Sequence, residues 1–213
     1  MANVDLVWAR SDPVSIRDYA ASCGFNLNAI DLRTIAKSRR EWIEKEVASW
    51  IMSDLDECFE EEHGRPLSEI KKGVYVIALS GGLSINYKKK PSSVVYIGRG
   101  NIRVRVGNHL KQWITNFSES LQDAKFVFWM APVYLGGNAN LFKEVESDLL
   151  DYFYDRFGER PILNKISGES HSKFHEHSKS SYQPFRKSSS MDAGWAIRPM
   201  KDNEWFRALE TDT

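Results

Sequence analysis

Val94-Val95-Tyr96-Ile97-Gly98-Arg99-Gly100 decides how this chain is read, together with Gly73-Val74-Tyr75 upstream of it. Each is part of a short β run carrying one tyrosine. The unbroken apolar run Val74-Tyr75-Val76-Ile77-Ala78-Leu79 suits a strand inside a sheet rather than at an exposed edge. Between Gly73 and Ser118 there is no Asp or Glu, yet the span holds Lys88, Lys89, Lys90, Arg99, Arg103, Arg105 and Lys111. Lys+Arg and Asp+Glu are both 29 over the chain, so the total charge is silent and its distribution speaks. A basic, acid-free segment is suited to meet an anion, most often phosphate. An acidic segment precedes it, with ten acids in residues 41–69 against Lys45 and Arg65.

Downstream, Gly100-Asn101 opens a helix over about residues 102–117, with Asn101 as its N-cap. At 100° per residue, Ile102, Val106, Leu110, Trp113 and Phe117 share one face. Arg105 and His109, four apart, project together from its edge, whereas Lys111 points into solvent. Gly107 weakens the helix and permits a close approach by backbone or ligand. Lys125 to Val133 reads as a third strand, and Gly136-Gly137-Asn138 leads to a helix over about residues 140–157. Phe142, Val145, Leu149, Leu150, Phe153 and Phe157 form its buried face, and Glu144, Asp148, Asp151 and Asp155 a solvated acidic one. Glu146 falls inside the apolar arc. Burying a lone carboxylate costs several kcal/mol unless a cation compensates, so Glu146 is either a functional metal ligand or half of a salt bridge, with Arg105 the candidate partner.

Upstream, the first seventy residues read as helical. Ser11-Asp12-Pro13 is a start signal and Gly24 a stop; a second helix runs from about Leu32 to about Glu62. Its stripe, including Ile43, Val47, Trp50, Ile51, Leu55 and Phe59, is expected to dock on the following domain, with a subunit contact or a DNA-binding unit as alternatives. Lys88-Lys89-Lys90-Pro91 reads as an exposed basic loop. Residues 167–190 are rich in Ser, Lys and His and read as mobile. His171, His175 and His177 within them are expected to be solvent-exposed, since no cysteine or other ligand cluster stands beside them. Gly194-Trp195-Ala196-Ile197 and Trp205-Phe206 read as an anchor. Two cysteines, Cys23 and Cys58, suit a reducing compartment, and no apolar run of membrane length or signal pattern is seen, so a soluble cytoplasmic protein is expected. At 213 residues the division expected is a helical extension over 1–70, a core domain over 71–168 and a polar tail over 169–213.

The order of tyrosine strand, tyrosine strand, Arg/His helix, Glu helix and closing asparagine resembles the GIY-YIG nuclease family, over about residues 71–166. Gly73-Val74-Tyr75 stands at its first tripeptide and Tyr96-Ile97-Gly98 at its second. Arg105 and His109 match the family's arginine and following histidine, Glu146 its glutamate, and Pro161-Ile162-Leu163-Asn164 its proline and asparagine. The stretch Val76–Val95 and the interval from Glu146 to Asn164 are longer than in compact members.

The resemblance implies an α/β (α+β) fold with a three-stranded antiparallel sheet flanked by helices. It also implies a DNA endonuclease using Mg²⁺ (or Mn²⁺). By the same resemblance, Glu146 holds the metal, Arg105 contacts the phosphate and Tyr75 is the general base. Tyr96 orients water or phosphate, and Asn164 positions by hydrogen bonding. His109 is the candidate to take the phenolic proton from Tyr75, since a free tyrosine has a pKa near 10. Lys88, Lys89, Lys90, Arg99, Arg103 and Lys111 are the expected nucleic-acid contacts. A stand-alone chain is most like restriction-type members, whose cutting of both strands of double-stranded DNA favours a homodimer. A structure-specific nuclease and a non-catalytic binding module are the alternatives.

Overall fold

The computed structural model describes residues 2–26, 35–80, 83–121, 124–134, 138–165, 168, 171, 175–186 and 195–197. In chain order the elements are β1 (Ala2–Val4), β2 (Ala9–Arg10), α1 (Ile16–Ser22), α2 (Lys37–His63), β3 (Gly73–Leu79), β4 (Leu83–Asn86), β5 (Pro91–Ser92) and β6 (Val94–Gly100). Next come α3 (Ile102–His109), a π turn (Leu110–Ile114), α4 (Thr115–Ser120), β7 (Phe126–Pro132), α5 (Leu141–Phe157), β8 (His175–His177), a 3₁₀ segment (Lys179–Phe185) and β9 (Trp195–Ile197). The helix start at Leu32, the turn at Gly81-Gly82, the Gly136-Gly137 pair and Trp205-Phe206 lie outside the described residues.

The fold is mixed α/β. Its main sheet has the antiparallel order β2-β7-β3-β6. All seven residues of β3 are buried, as its unbroken apolar sequence requires. Tyr75 lies opposite Gly98 on β6 and Met130 on β7, and Ile77 opposite Tyr96. The register then steps to Ala78–Val94, leaving Val95 as an extra residue beside Tyr96. Such a bulge bends the strand locally and re-aims the side chain next to it.

The sheet has one strand more than the three expected, because the N-terminal segment is not helical throughout. Ser11 N–H donates to Phe128 O at 2.9 Å, and Phe128 N–H donates back to Ser11 Oγ at 2.9 Å. Val14 and Phe126 exchange two backbone bonds at 2.7 and 2.9 Å. An uncovered β7 edge would leave backbone donors unpaired, so Ser11-Asp12-Pro13 stays extended there. The first helix starts only at Ile16, where Ser15 Oγ accepts from Asp18 N–H at 3.1 Å.

Asn101 caps α3 as expected, its side chain accepting from Val104 N–H at 3.1 Å. The helix does not run evenly. Residues 110–114 form a π turn, whose widened Leu110 carbonyl accepts the Thr115 hydroxyl at 2.9 Å. α2 packs along α3 and the π turn, with Met52 filling the space beside Gly107.

Within residues 167–190, read from composition as mobile, the described part packs on the rest of the fold. β8 runs parallel to β1. Ser181 is fully buried, its hydroxyl accepting from Leu6 N–H at 3.0 Å and its carbonyl from Trp8 Nε1–H at 3.1 Å. Tyr182 stacks on Tyr152 of α5 at 3.8 Å, and Phe185 is fully buried. Serines that make the segment look solvated satisfy the backbone of the N-terminal strand, and two aromatics supply the apolar contact. β4, β5 and β9 form a second small sheet. Among the described residues no helix is long and apolar enough to cross a membrane.

Candidate active site

Four of the residues singled out in the sequence meet at β3, β6 and α3. Tyr75 and Tyr96 point to the same face, since Ile77 is opposite Tyr96 and two residues from Tyr75. Their rings stack at 6.0 Å. Between them lies Gly98, where a Cβ would overlap Cζ and Oη of Tyr75, so no other residue leaves the Tyr75 hydroxyl where it is. Gly100, at φ 110°, then turns the chain from β6 into α3 and sets Arg105 and His109 over the tyrosines.

Tyr75 Oη lies 2.8 Å from His109 Nε2, and Trp113 Nε1 lies 2.8 Å from His109 Nδ1. Indole N–H is a donor only, so Nδ1 must present its lone pair. In a neutral imidazole the proton then sits on Nε2, which donates to the Tyr75 oxygen. Burial, and after it the nearby Arg105 charge, depresses the His109 pKa to about 4, so the neutral form prevails near pH 7. His109 is therefore a hydrogen-bond donor to the tyrosine oxygen rather than an acceptor of its proton. This reverses the role expected of it. Trp113, read in the sequence as a core residue, fixes the tautomer. Its place one turn after His109 was the available signal.

Tyr75 is fully buried. Burial raises its pKa above the ordinary value, and Tyr96 adds to this; Arg105 opposes both through its charge and a side-chain hydrogen bond. The same contact with Tyr75 raises the Arg105 pKa. The Arg105 charge and the imidazole N–H both favour the ionised phenol, but burial outweighs them and keeps the pKa above its ordinary value.

Glu146 is elsewhere. Arg99 follows Gly98, so strand alternation turns it to the side opposite Tyr75, where its Nη1 lies 3.3 Å from Glu146 Oε2 on α5. Both side chains are largely covered, at 23% and 13% exposure. Among the described residues Glu146 pairs with Arg99, where the sequence had suggested Arg105. Asn164 bonds to the backbone of β6: its Oδ1 accepts from Ile97 N–H at 2.9 Å and its Nδ2 donates to Ile97 O at 2.7 Å. β6 is the outer strand of the sheet, and Asn164 satisfies its open edge between Tyr96 and Gly98.

The basic residues are put to varied use. Lys89 Nζ donates to Asp155 O at 2.7 Å, Lys88 N–H to Glu159 Oε2 at 3.1 Å, and Lys90 lies over Phe157 at 5.3 Å. The loop thereby closes the C-terminal end of α5, where a helix favours positive charge. Arg103 is ion-paired with Asp56 of α2. Lys111 is exposed.

The histidines overturn their reading as solvent-exposed. His175 Nε2 lies 2.8 Å from Glu144 Oε2, and His171 and His177 Nε2 lie 3.0 and 2.7 Å from Asp148. Glu144 and Asp148 are correspondingly covered rather than solvated, at 11% and 20% side-chain exposure. The C-terminal segment lies across that face of α5, a contact over roughly thirty residues of sequence that helical periodicity alone does not reveal.

Comparison with protein-family models, curated proteins and solved structures finds no match for this chain.

Proposed function

We propose that the chain is a divalent-metal-dependent endonuclease of the GIY-YIG type, hydrolysing phosphodiester bonds in double-stranded DNA. The observation that carries this reading is the Tyr75 oxygen held between His109 Nε2–H and Arg105 in a segment free of carboxylates. The imidazole N–H and the Arg105 charge would offset part of the burial that raises the Tyr75 pKa, and so support the tyrosine as a general base on a water molecule. Arg105, exposed beyond the tyrosines, is suited to meet the non-bridging phosphate oxygens. Asn164 holds the Tyr96–Gly98 strand in place.

Glu146 is a single, largely covered carboxylate whose charge Arg99 balances. That donor set fits a hard ion such as Mg²⁺ or Mn²⁺, which keeps several waters and takes few protein carboxylates. Glu146 would hold the ion, and Arg99 would turn from Glu146 toward phosphate. When bound, the ion supplies positive charge at the phosphate and the leaving oxygen.

Restriction-type cutting as a homodimer follows from the same reading, with Trp50 on α2, 53% exposed, as a surface for the second copy. Two free cysteines support a cytoplasmic setting. One observation favours a second reading: a Glu146 paired with Arg99 also suits a non-catalytic binding module.

The test is cleavage of duplex DNA with Mg²⁺ or Mn²⁺ by wild type, Glu146→Gln and Tyr75→Phe, with binding followed on the same samples. Wild type should cut, and both variants should bind but cut far more slowly, Tyr75→Phe falling roughly 10²- to 10⁴-fold. Binding without cutting by wild type, on linear or branched duplexes and on RNA, would favour the binding module.

A further inference from the structure

Two residues to either side of Glu146, α5 carries Glu144 and Asp148, which a helix turns about 200° away from it. On that outer face lie three imidazoles. His175 and His177 alternate along β8 and so project together, with side chains only 3% and 2% exposed; His171 joins them at 15%. Neighbouring ring centres are 5.6 Å apart for His171–His175 and 6.4 Å for His175–His177. Every Nε2 lies on a carboxylate oxygen of Glu144 or Asp148, at 2.7 to 3.0 Å.

The other nitrogen of each ring is the unusual feature. Nδ1 of His171, of His175 and of His177 is buried with no hydrogen-bond partner among the described residues. Neutral or charged, each imidazole then keeps one buried polar atom unpaired: a lone pair in one state, an N–H in the other. One such atom is uncommon in a folded protein, and three in one cluster call for a ligand. A carboxylate bonded to Nε2–H is the arrangement that orients a histidine whose opposite nitrogen binds a metal. Three imidazole ligands suit a borderline-soft dication, and two carboxylates balance its charge.

The geometry points to a Zn²⁺-class metal site formed by Nδ1 of His171, His175 and His177, with Asp148 and Glu144 as the outer carboxylates, pinning the C-terminal segment to the back of the Glu146 helix. Three imidazoles on one tetrahedral Zn²⁺ have ring centres about 5 Å apart, so the His171–His175 and His175–His177 pairs, at 5.6 and 6.4 Å, close by roughly 1 Å on loading. Among the described residues no three His, Cys, Asp or Glu donors converge as a finished cage, which makes this closure part of binding. The sequence reading set the histidines aside for want of a ligand cluster beside them; α5 supplies that cluster.

The site is independent of the nuclease reading, and one experiment keeps the two apart. The full chain, prepared without a polyhistidine tag, is equilibrated with Zn²⁺, freed of excess metal and assayed for metal content. Thermal melting is followed with and without a chelator, and Co²⁺ is substituted for its visible spectrum. Wild type and Glu146→Gln should each retain one equivalent of Zn²⁺, not displaced by excess Mg²⁺. His175→Gln/His177→Gln should retain none, and Asp148→Asn should bind roughly 10- to 100-fold more weakly. If the histidine variant does not fold, the wild-type Co²⁺ spectrum decides: an intense tetrahedral nitrogen-ligand spectrum supports the site. Wild type that holds no stoichiometric zinc, gives an octahedral Co²⁺ spectrum and melts the same with or without metal overturns the proposal. Zinc lost by Glu146→Gln and kept by the histidine variant overturns it too.

Discussion

Replacing Trp113 by Phe tests the proton arrangement around Tyr75. The substitution removes one N–H, the donor 2.8 Å from His109 Nδ1, and keeps a ring where Trp113 meets Phe117 and Phe126. Without it, Nδ1 can carry the imidazole proton, and Nε2 becomes a lone pair facing the Tyr75 hydroxyl. The tyrosine then donates to His109, which stabilises the neutral phenol, and the phenolate loses an N–H donor. A hydrogen bond to a charged group contributes about 1.5–3 kcal/mol, so the phenolate should become scarcer, and cleavage slower, by roughly 10- to 100-fold at neutral pH.

The assay is single-turnover cleavage of duplex DNA at saturating metal across pH, with DNA affinity measured in parallel. Burial keeps the Tyr75 pKa above its ordinary value, so the wild-type rate should climb by about one decade per pH unit through the neutral range. The Trp113→Phe line should run parallel and lower, at unchanged DNA affinity. Nitrogen NMR of His109 should find the wild-type proton on Nε2. A variant cutting within about twofold of wild type, or a wild-type proton found on Nδ1, would refute the tautomer argument.

His109 also makes acid stability a readout. Its folded pKa is depressed to about 4 from 6.5, so between those values the unfolded chain binds more protons and stability falls as pH drops. The loss begins near pH 6.5 and is complete below about pH 4, up to about 3 kcal/mol. Denaturant unfolding of wild type beside His109→Phe should show the variant spared that part of the decline. Gly98→Ala drives a methyl into Tyr75; melting should reveal a folded protein weakened by about 1–3 kcal/mol, and cleavage should be abolished. Asn164→Ala leaves Ile97 N–H and C=O without their partner and should cost about 1–3 kcal/mol, seen as a fall of roughly 2–4 °C in Tm per kcal/mol, with weakened cleavage.

What the sequence revealed divides by the range of the interaction. β3, β6, β7, the Asn101 cap and the helices around Arg105 and Glu146 were legible because periodicity and capping act within a few residues. The pairing of Tyr75 with His109 was approachable because a strand and the helix after its partner are close in chain order. The two-residue strand β2 was hidden: its cause is an unpaired edge on β7, more than a hundred residues away. Arg99 and Glu146 show the same limit more sharply. A carboxylate on an apolar helix face announces that some cation must come to it, yet the helix pattern cannot say which. Arg105 is the arginine that the family resemblance draws attention to, but strand alternation sends Arg99 to α5 and leaves Arg105 with the tyrosines. This division matters for chemistry, because an arginine neutralised by Glu146 could not at the same time favour the phenolate. Arg105 and His109 stay with Tyr75 of β3, and Arg99 of β6 goes to Glu146 on α5, so each arginine meets a different acidic group.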